Sequence, residues 1–452
     1  MDVNFLALFR DATFRGAIRG AAPPDPARMS GDDFAAAEEN GDAADAPDLF
    51  KWLSREVREL MPREVPVLET PPTALAFSRD FVAANRPCVV RGAADHWPAR
   101  ELWTASYLSA ALGDTLISVN VTPTGLGDAL LSTEGVDLRY RERAGASAAS
   151  SSSSGDAKYQ RPKKRDDEDP NAPREKPPLV FVQPEARRMS FREFQALARE
   201  DAREPKNKTH LSSGLEPRQI PYVSAQDDSF ASEFSARVGG DLGADAARGL
   251  EWARDAFGSA PDAVNVWCGV SDAVTSFHRD HYENVYVVLR GSKTFTLLPP
   301  CDAWRVAPRI APAARFEYDE VSDDVVDDAR EDSAERLKKL VCRVVVETPI
   351  THVSWPSATP ASLRRDGGPP ALVVTVRAGE TLYLPAMWYH HVEQRRCSSF
   401  ALDARFRADD SDEFAIAVNF WHDMRFDDRF ATARFLETAS EREKARREET
   451  DE

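Results

Sequence analysis

The chain has 452 residues, 42% hydrophobic and 29% charged, with a formal net charge of −17. That acidity excludes sequence-independent binding along a nucleic-acid backbone, which needs a surplus of Lys and Arg on its footprint, and it favours a basic protein or peptide partner. Five cysteines without a CxxC pair exclude a zinc knuckle and a disulfide framework and set a reducing compartment as the expectation, and no apolar run approaches the roughly 18 residues that cross a bilayer.

Two or three average domains fit this length, although a β-sandwich or barrel with added helices also reaches it as one. The segment 1–47 reads as a flexible lead-in, because 20–47 is rich in Ala, Asp, Pro and Gly and lacks periodicity. Its arginines hint at an organelle transit peptide, against which Asp2 and Asp11 count. Residues 48–142 open the structured unit. A helix is predicted over Asp48–Met61, and the short β-branched runs in "RPCVVRGAADHWPA" and "TLISVNVTP" predict strands at a sheet edge.

Residues 143–178 form a Ser-rich and then charged insert that cannot build a core. Its "RPKKR" (Arg161–Arg165) has the look of a nuclear import signal, with a solvated linker as the plainer reading. Order resumes at "MSFREFQALARE", where Ser190 and Glu193 have the spacing of a capping box. The core is expected over 179–430, mainly β with added helices. Short β-runs over 263–300 and 371–421 follow the pattern of an antiparallel sandwich or barrel. Between them, 302–370 reads as an acidic surface insertion, and 431–452 as a helix with a charged tail.

The chemistry begins in "SFHRDHYENVY". If this stretch is extended, His278 and Asp280 share one face and His281 points away. An imidazole and a carboxylate at i and i+2 supply two legs of a facial triad. The third leg is expected from "RAGETLYLPAMWYHHVEQ", where a strand and a turn deliver His390 and His391, one of which faces the metal. Alternation does not choose between them. Such a site leaves positions open on an octahedral iron for a bidentate co-substrate and O2, while a zinc hydrolase uses the same donors.

In "VYVVLRGSKTFTLL", Gly291 and Ser292 read as the turn of a two-residue hairpin. Lys293 then shares a face with Phe295 and Leu297, and a lysine there needs an anion; a dicarboxylate held by the metal at its other end supplies one. A straight chain from Asp280 to Lys293 spans roughly 40 Å at about 3.3 Å per residue, so the chain must fold back for one small ligand to touch both. Taken singly, each of these signals has a plain reading. A lone HxD is more often a polar loop, a lone strand lysine snorkels, and Trp267, Trp388, Trp421 and Cys88 read as core. Their combination reverses that balance.

Together "PDAVNVWCGVSDAVTSFHRDHYENVY", "LYLPAMWYHHVEQ" and "IAVNFWHDM" resemble the jumonji-C (JmjC) family of Fe(II)- and 2-oxoglutarate-dependent oxygenases, most of all its branch of bifunctional peptidase and lysyl hydroxylases. The chain is also similar to the asparaginyl hydroxylase that inhibits hypoxia-inducible factor. The resemblance runs from about residue 65 to 430 and implies a double-stranded β-helix, the jelly-roll cupin-like fold. It implies His278, Asp280 and His390 as iron ligands, with His391 and His281 beside the site or in the core. It further implies Lys293, Thr275 and Tyr222 on the distal carboxylate of 2-oxoglutarate, Asn284 and Asn419 beside the co-substrate, and Tyr286 and Trp421 as pocket walls. Neither insert is expected to touch the triad.

The activity implied is hydroxylation of a protein lysine at C3 using O2, with release of succinate and CO2, on a partner that the resemblance suggests is a GTP-binding protein. The rivals are lysine demethylation, which lacks an accompanying zinc or reader module here, and a metallopeptidase, which lacks HExxH. A dead scaffold is the remaining rival, against which the complete ligand set counts. The C-terminal helix could pack against a second copy. Cytosol is the expected address, with the nucleus as the alternative.

Overall fold

The computed structural model describes residues 49–142, 177–203, 217–322, 338–396 and 414–451. The N-terminal lead-in, the import-like "RPKKR" and nearly all of the Ser-rich insert lie outside them. Residues 1–52 and 53–452 are separate units. Of the first, 49–52 begin the helix α1 (Leu49–Glu59), and everything that follows concerns the second.

In chain order the strands are β1 (Val67–Leu68), β2 (Cys88–Arg91), β3 (Leu116–Thr122), β4 (Ala129–Ser132), β5 (Leu138–Glu142), β6 (Leu179–Gln183), β7 (Glu185–Ser190), β8 (Ile220–Val223), β9 (Ala263–Gly269) and β10 (Thr275–His278). Then come β11 (Tyr282–Arg290), β12 (Ser292–Leu298), β13 (Pro308–Ser322), β14 (Lys338–Thr348), β15 (His352–Pro356), β16 (Leu372–Arg377), β17 (Glu380–Leu384), β18 (Tyr389–Arg395) and β19 (Ala415–Asp423). The two longest of the remaining helices are α2 (Phe191–Arg203) and α3 (Asp428–Asp451). The expected capping box starts α2: the Glu193 amide donates to the Ser190 hydroxyl at 3.3 Å, and the Ser190 amide to Glu193 Oε2 at 2.7 Å.

Eight strands wind as one long rolled hairpin. β12 pairs with β16, β11 with β17, β10 with β18 and β9 with β19, all antiparallel, and the roll closes through β11–β19 and β12–β18. The result is a jelly roll, with β10-β18-β12-β16 as one sheet facing β17-β11-β19-β9 in the other. β2 and β1 extend the second sheet at one edge, and β8, β3 and β7 at the other. Alternation sorts the side chains. Trp267, Tyr286, Phe295 and Leu297 fill the inside of the roll, while Val285, Val287, Val418 and Phe420 pack outward against Phe77, Trp103, Phe230 and Trp252.

Two expectations are corrected. The strands flanking Gly291 do not pair, since β11 and β12 lie in opposite sheets. Gly291 has φ +65°, and a Cβ there would fall 2.4 Å from the Arg395 carbonyl oxygen. The residue therefore turns a corner between sheets instead of closing a hairpin, and this corner carries Lys293 back toward Asp280. The segment 302–370 is also more than a surface insertion. It sits at the tip of the rolled hairpin and contributes β13, β14 and β15 to a third sheet, β4-β6-β13-β14-β5 with β15 on β13, whose other strands come from earlier in the chain. Val180, Val182, Phe316, Val344 and Val346 form its core, each such side chain contributing about 1.5–3 kcal/mol when fully buried.

Cys88, Cys268, Cys301 and Cys342 are buried free thiols, and Cys397 lies outside the described residues. No helix among the described residues is long and apolar enough to cross a membrane.

Candidate active site

β10 and β18 hold His278 directly opposite His390, with ring centroids 4.1 Å apart. Each ring is fixed in the same way. His278 Nδ1 donates to the Ser276 carbonyl at 2.9 Å and His390 Nδ1 to the Trp388 carbonyl at 3.0 Å, which leaves both Nε2 lone pairs free for a ligand. Asp280 lies just past the end of β10, where its carbonyl accepts the Met387 amide at 2.9 Å. Its Oδ2 is 3.9 Å from His278 Nε2 and 3.6 Å from His390 Nε2.

All three donor atoms lie within 4.8 Å of one another, and no other trio of His, Cys, Asp or Glu among the described residues is grouped as a metal site. Two imidazole nitrogens and one carboxylate on one face are the donor set of a non-haem iron site with open positions. Burial, then the neighbouring His278, pulls His390 down to about 4, so its ring is neutral and ready to ligate. The next residue takes the other face. His391 packs on Phe277 at 5.4 Å, and its Nδ1 is buried without a hydrogen-bond partner among the described residues. His281 packs against Phe426 and Phe430.

Lys293 is fully buried inside the roll. Its ammonium donates to Tyr222 Oη at 3.0 Å and to the Gln394 side-chain carbonyl, and Tyr222 is hydrogen-bonded to the Thr275 side chain. Burial pulls Lys293 down to about 7. A permanent cation is costly there without an anion, and a carboxylate is the ligand that would restore the charge. Nearby, Asn419 donates to Asn284 Oδ1 at 3.1 Å and accepts Trp267 Nε1 at 2.9 Å. Tyr286 is buried against Trp267 and Phe295, and Trp421 stacks on Tyr282 at 4.8 Å. Neither Tyr286 nor Trp421 lines the open cleft of about 1100 Å³, whose walls include Thr275, His278, Asp280 and Trp355.

The cupin-like domain family matches residues 74–428 of this chain. Its curated relatives include the lysine-specific demethylase JMJ32 of Arabidopsis thaliana, 32% identical over 85% of this chain and 90% of that protein. Others are the human bifunctional peptidase and (3S)-lysyl hydroxylase JMJD7, 31% identical over 84% and 91%, and the JmjC domain-containing protein E of Dictyostelium discoideum, 26% over 88% and 95%. The chain belongs to the cupin-like JmjC oxygenase family.

Within this JmjC roll the structure adds residues that sequence reasoning missed. Gln394 stands opposite Lys293 in register and donates to the Val270 carbonyl at 3.0 Å. It lies four residues after His390, hence on the same strand face, and that spacing was a usable signal. Trp355 of β15 lies nearly parallel to His278, with a 6.3 Å centroid separation and a 6° interplanar angle, and donates from Nε1 to Ser276 Oγ at 3.0 Å. The segment read as a surface insertion that would not touch the triad therefore packs a ring against His278. From the other side α3 reaches in, where Glu437 accepts two bonds at 2.8 and 2.7 Å from Arg279, the residue between His278 and Asp280.

Proposed function

We propose that this JmjC oxygenase is a protein hydroxylase that inserts oxygen at C3 of a lysine side chain, using Fe(II), 2-oxoglutarate and O2 and releasing succinate and CO2. The observation that carries this reading is the pairing of the His278, Asp280 and His390 face with the buried Lys293 inside one roll.

In this reading His278, Asp280 and His390 would hold the metal through two imidazole nitrogens and one carboxylate, a donor set that leaves room for further ligands. Lys293, assisted by Tyr222 and Thr275, takes the distal carboxylate of 2-oxoglutarate, and the Asn284–Asn419 pair sits beside it. When bound, iron and 2-oxoglutarate together supply the O2-derived oxidant. The protein supplies geometry. The hydrogen bonds to Ser276 and Trp388 fix the imidazoles, and the Trp355 indole walls the His278 side of the cleft against water. We further propose a protein partner, with a GTP-binding protein as the candidate, and a cytoplasmic or nuclear site of action; a homodimer through α3 belongs to the same reading.

A second reading is lysine demethylation, favoured by the name of the Arabidopsis relative. Mass spectrometry separates the two. Lysine and methyl-lysine peptides incubated with Fe(II), 2-oxoglutarate and ascorbate gain about 16 Da on hydroxylation, and lose about 14 Da per methyl on demethylation. Hydroxylation predicts the gain, absent with His278→Ala; loss of methyl groups without the gain moves the assignment to demethylase.

A further inference from the structure

We propose that Asp128, in the cleft beside His278, takes the ε-ammonium of the substrate lysine, with the Trp355 indole as the wall along its methylene stem. The assignment rests on the lysine reading above.

Three observations carry it. The first is placement: the Ser276 hydroxyl donates to the Asp128 carbonyl oxygen and accepts Trp355 Nε1 at 3.0 Å. Ser276 lies two residues before His278, so Asp128, Trp355 and the ligand-bearing strand are tied at one point. The second is charge. Asp128 is partly buried in the cleft wall, within the field of His278 and hydrogen-bonded to the Gln183 side chain. No lysine or arginine among the described residues forms an ion pair with it. The other carboxylates of the cleft differ: Glu317 is paired with Arg141, Glu437 with Arg279, Asp319 with Arg343 and Glu185 with Arg187. Asp227 is exposed, and Asp280 belongs to the trio that would hold the metal. A partly buried carboxylate without a cation is costly, and a substrate cation completes it through a charge-assisted hydrogen bond.

The third is reach. From the β-carbon of lysine to its nitrogen is roughly 5 Å in an extended side chain. Attack at that carbon therefore leaves the ammonium a side chain's length from the metal, where it needs an anion that is not itself a ligand. The flat Trp355 face suits the intervening methylenes and adds a cation–π contribution.

The test uses the full-length protein loaded with Fe(II) and 2-oxoglutarate under anaerobic conditions. N-acetyl-lysinamide and N-acetyl-norleucinamide, which differ at the chain end in charge, are titrated and read by NMR saturation transfer. The expected result is at least a tenfold preference for lysinamide in the wild type, lost in Asp128→Asn and partly kept in Asp128→Glu, with melting temperatures showing that each variant is folded. An equal preference in wild type and Asp128→Asn, or none in the wild type, overturns the assignment. The peptide assay is independent of it. Asp128-dependent lysinamide binding with no oxygen added to lysine peptides contradicts hydroxylation and leaves the subsite standing; lysine hydroxylation with Asp128-independent binding does the reverse.

Discussion

His278 and His390 face each other across the β10–β18 ladder, and each donates its Nδ1 hydrogen to the carbonyl two residues before it. Strand pairing thus brings the two rings together, and the local backbone carbonyls set both tautomers. Replacing either by Ala removes a ligand from a three-ligand face, and Asp280→Ala removes the anionic one. Isothermal titration with Co(II) as an air-stable probe should show metal affinity falling by about a hundredfold or more in each variant, beyond the 10–100-fold typical of a lost supporting partner.

Lys293→Met keeps the length and apolar stem of the side chain and deletes its charge. The expected outcome is an apparent affinity for 2-oxoglutarate at least tenfold weaker, with Co(II) affinity within about threefold of wild type, since a lost charge-assisted bond is worth about 1.5–3 kcal/mol. Gln394→Leu should weaken 2-oxoglutarate in the same direction by a smaller factor, because it removes one acceptor from the ammonium.

The same lysine makes a pH prediction. Burial holds Lys293 near 7 instead of 10.5, so between those values the unfolded chain binds more protons than the ligand-free folded one. Stability therefore rises with pH across that window, and the penalty of the buried charge is fully present below pH 7. The difference between wild-type and Lys293→Met melting curves from pH 6 to 10 should shrink or change sign accordingly. For 2-oxoglutarate the sign reverses: binding requires the ammonium and should weaken above pH 7 in wild type, by up to about tenfold per unit.

Glu437 anchors α3 on Arg279, and both side chains are largely shielded from water. Glu437→Leu leaves that guanidinium buried with its main partner gone, and should cost about 3 kcal/mol in a urea melt. Arg279→Met with Glu437→Leu should recover part of the loss.

Much of the site was legible in the sequence because its signals are local. HxD and a lysine on an apolar strand face follow from period-two alternation, whereas alternation left His390 and His391 open and the family resemblance singled out His390. What escaped depends on which strand lies beside which. Gly291 and Ser292 look like a hairpin turn, yet the corner they make between sheets is decided by the Arg395 carbonyl and Ala415 packed beside them. The acidic composition of 302–370 masked the alternation of Arg315, Phe316, Glu317 and Tyr318, of which Phe316 is buried and Tyr318 half-buried in the cluster with Val182 and Val344 of the neighbouring strands. Trp355 carried no signal at all, because its place beside His278 arises only once β15 pairs with β13.

The most direct test of the account is a paired titration: Fe(II) into the anaerobic full-length protein, then 2-oxoglutarate, followed by calorimetry in wild type, Asp280→Ala and Lys293→Met. The account predicts that wild type takes up the metal and then the dicarboxylate, that Asp280→Ala loses both, and that Lys293→Met keeps the metal and loses the dicarboxylate. Dicarboxylate binding at wild-type strength in Lys293→Met, or metal binding at wild-type strength in Asp280→Ala, would contradict it.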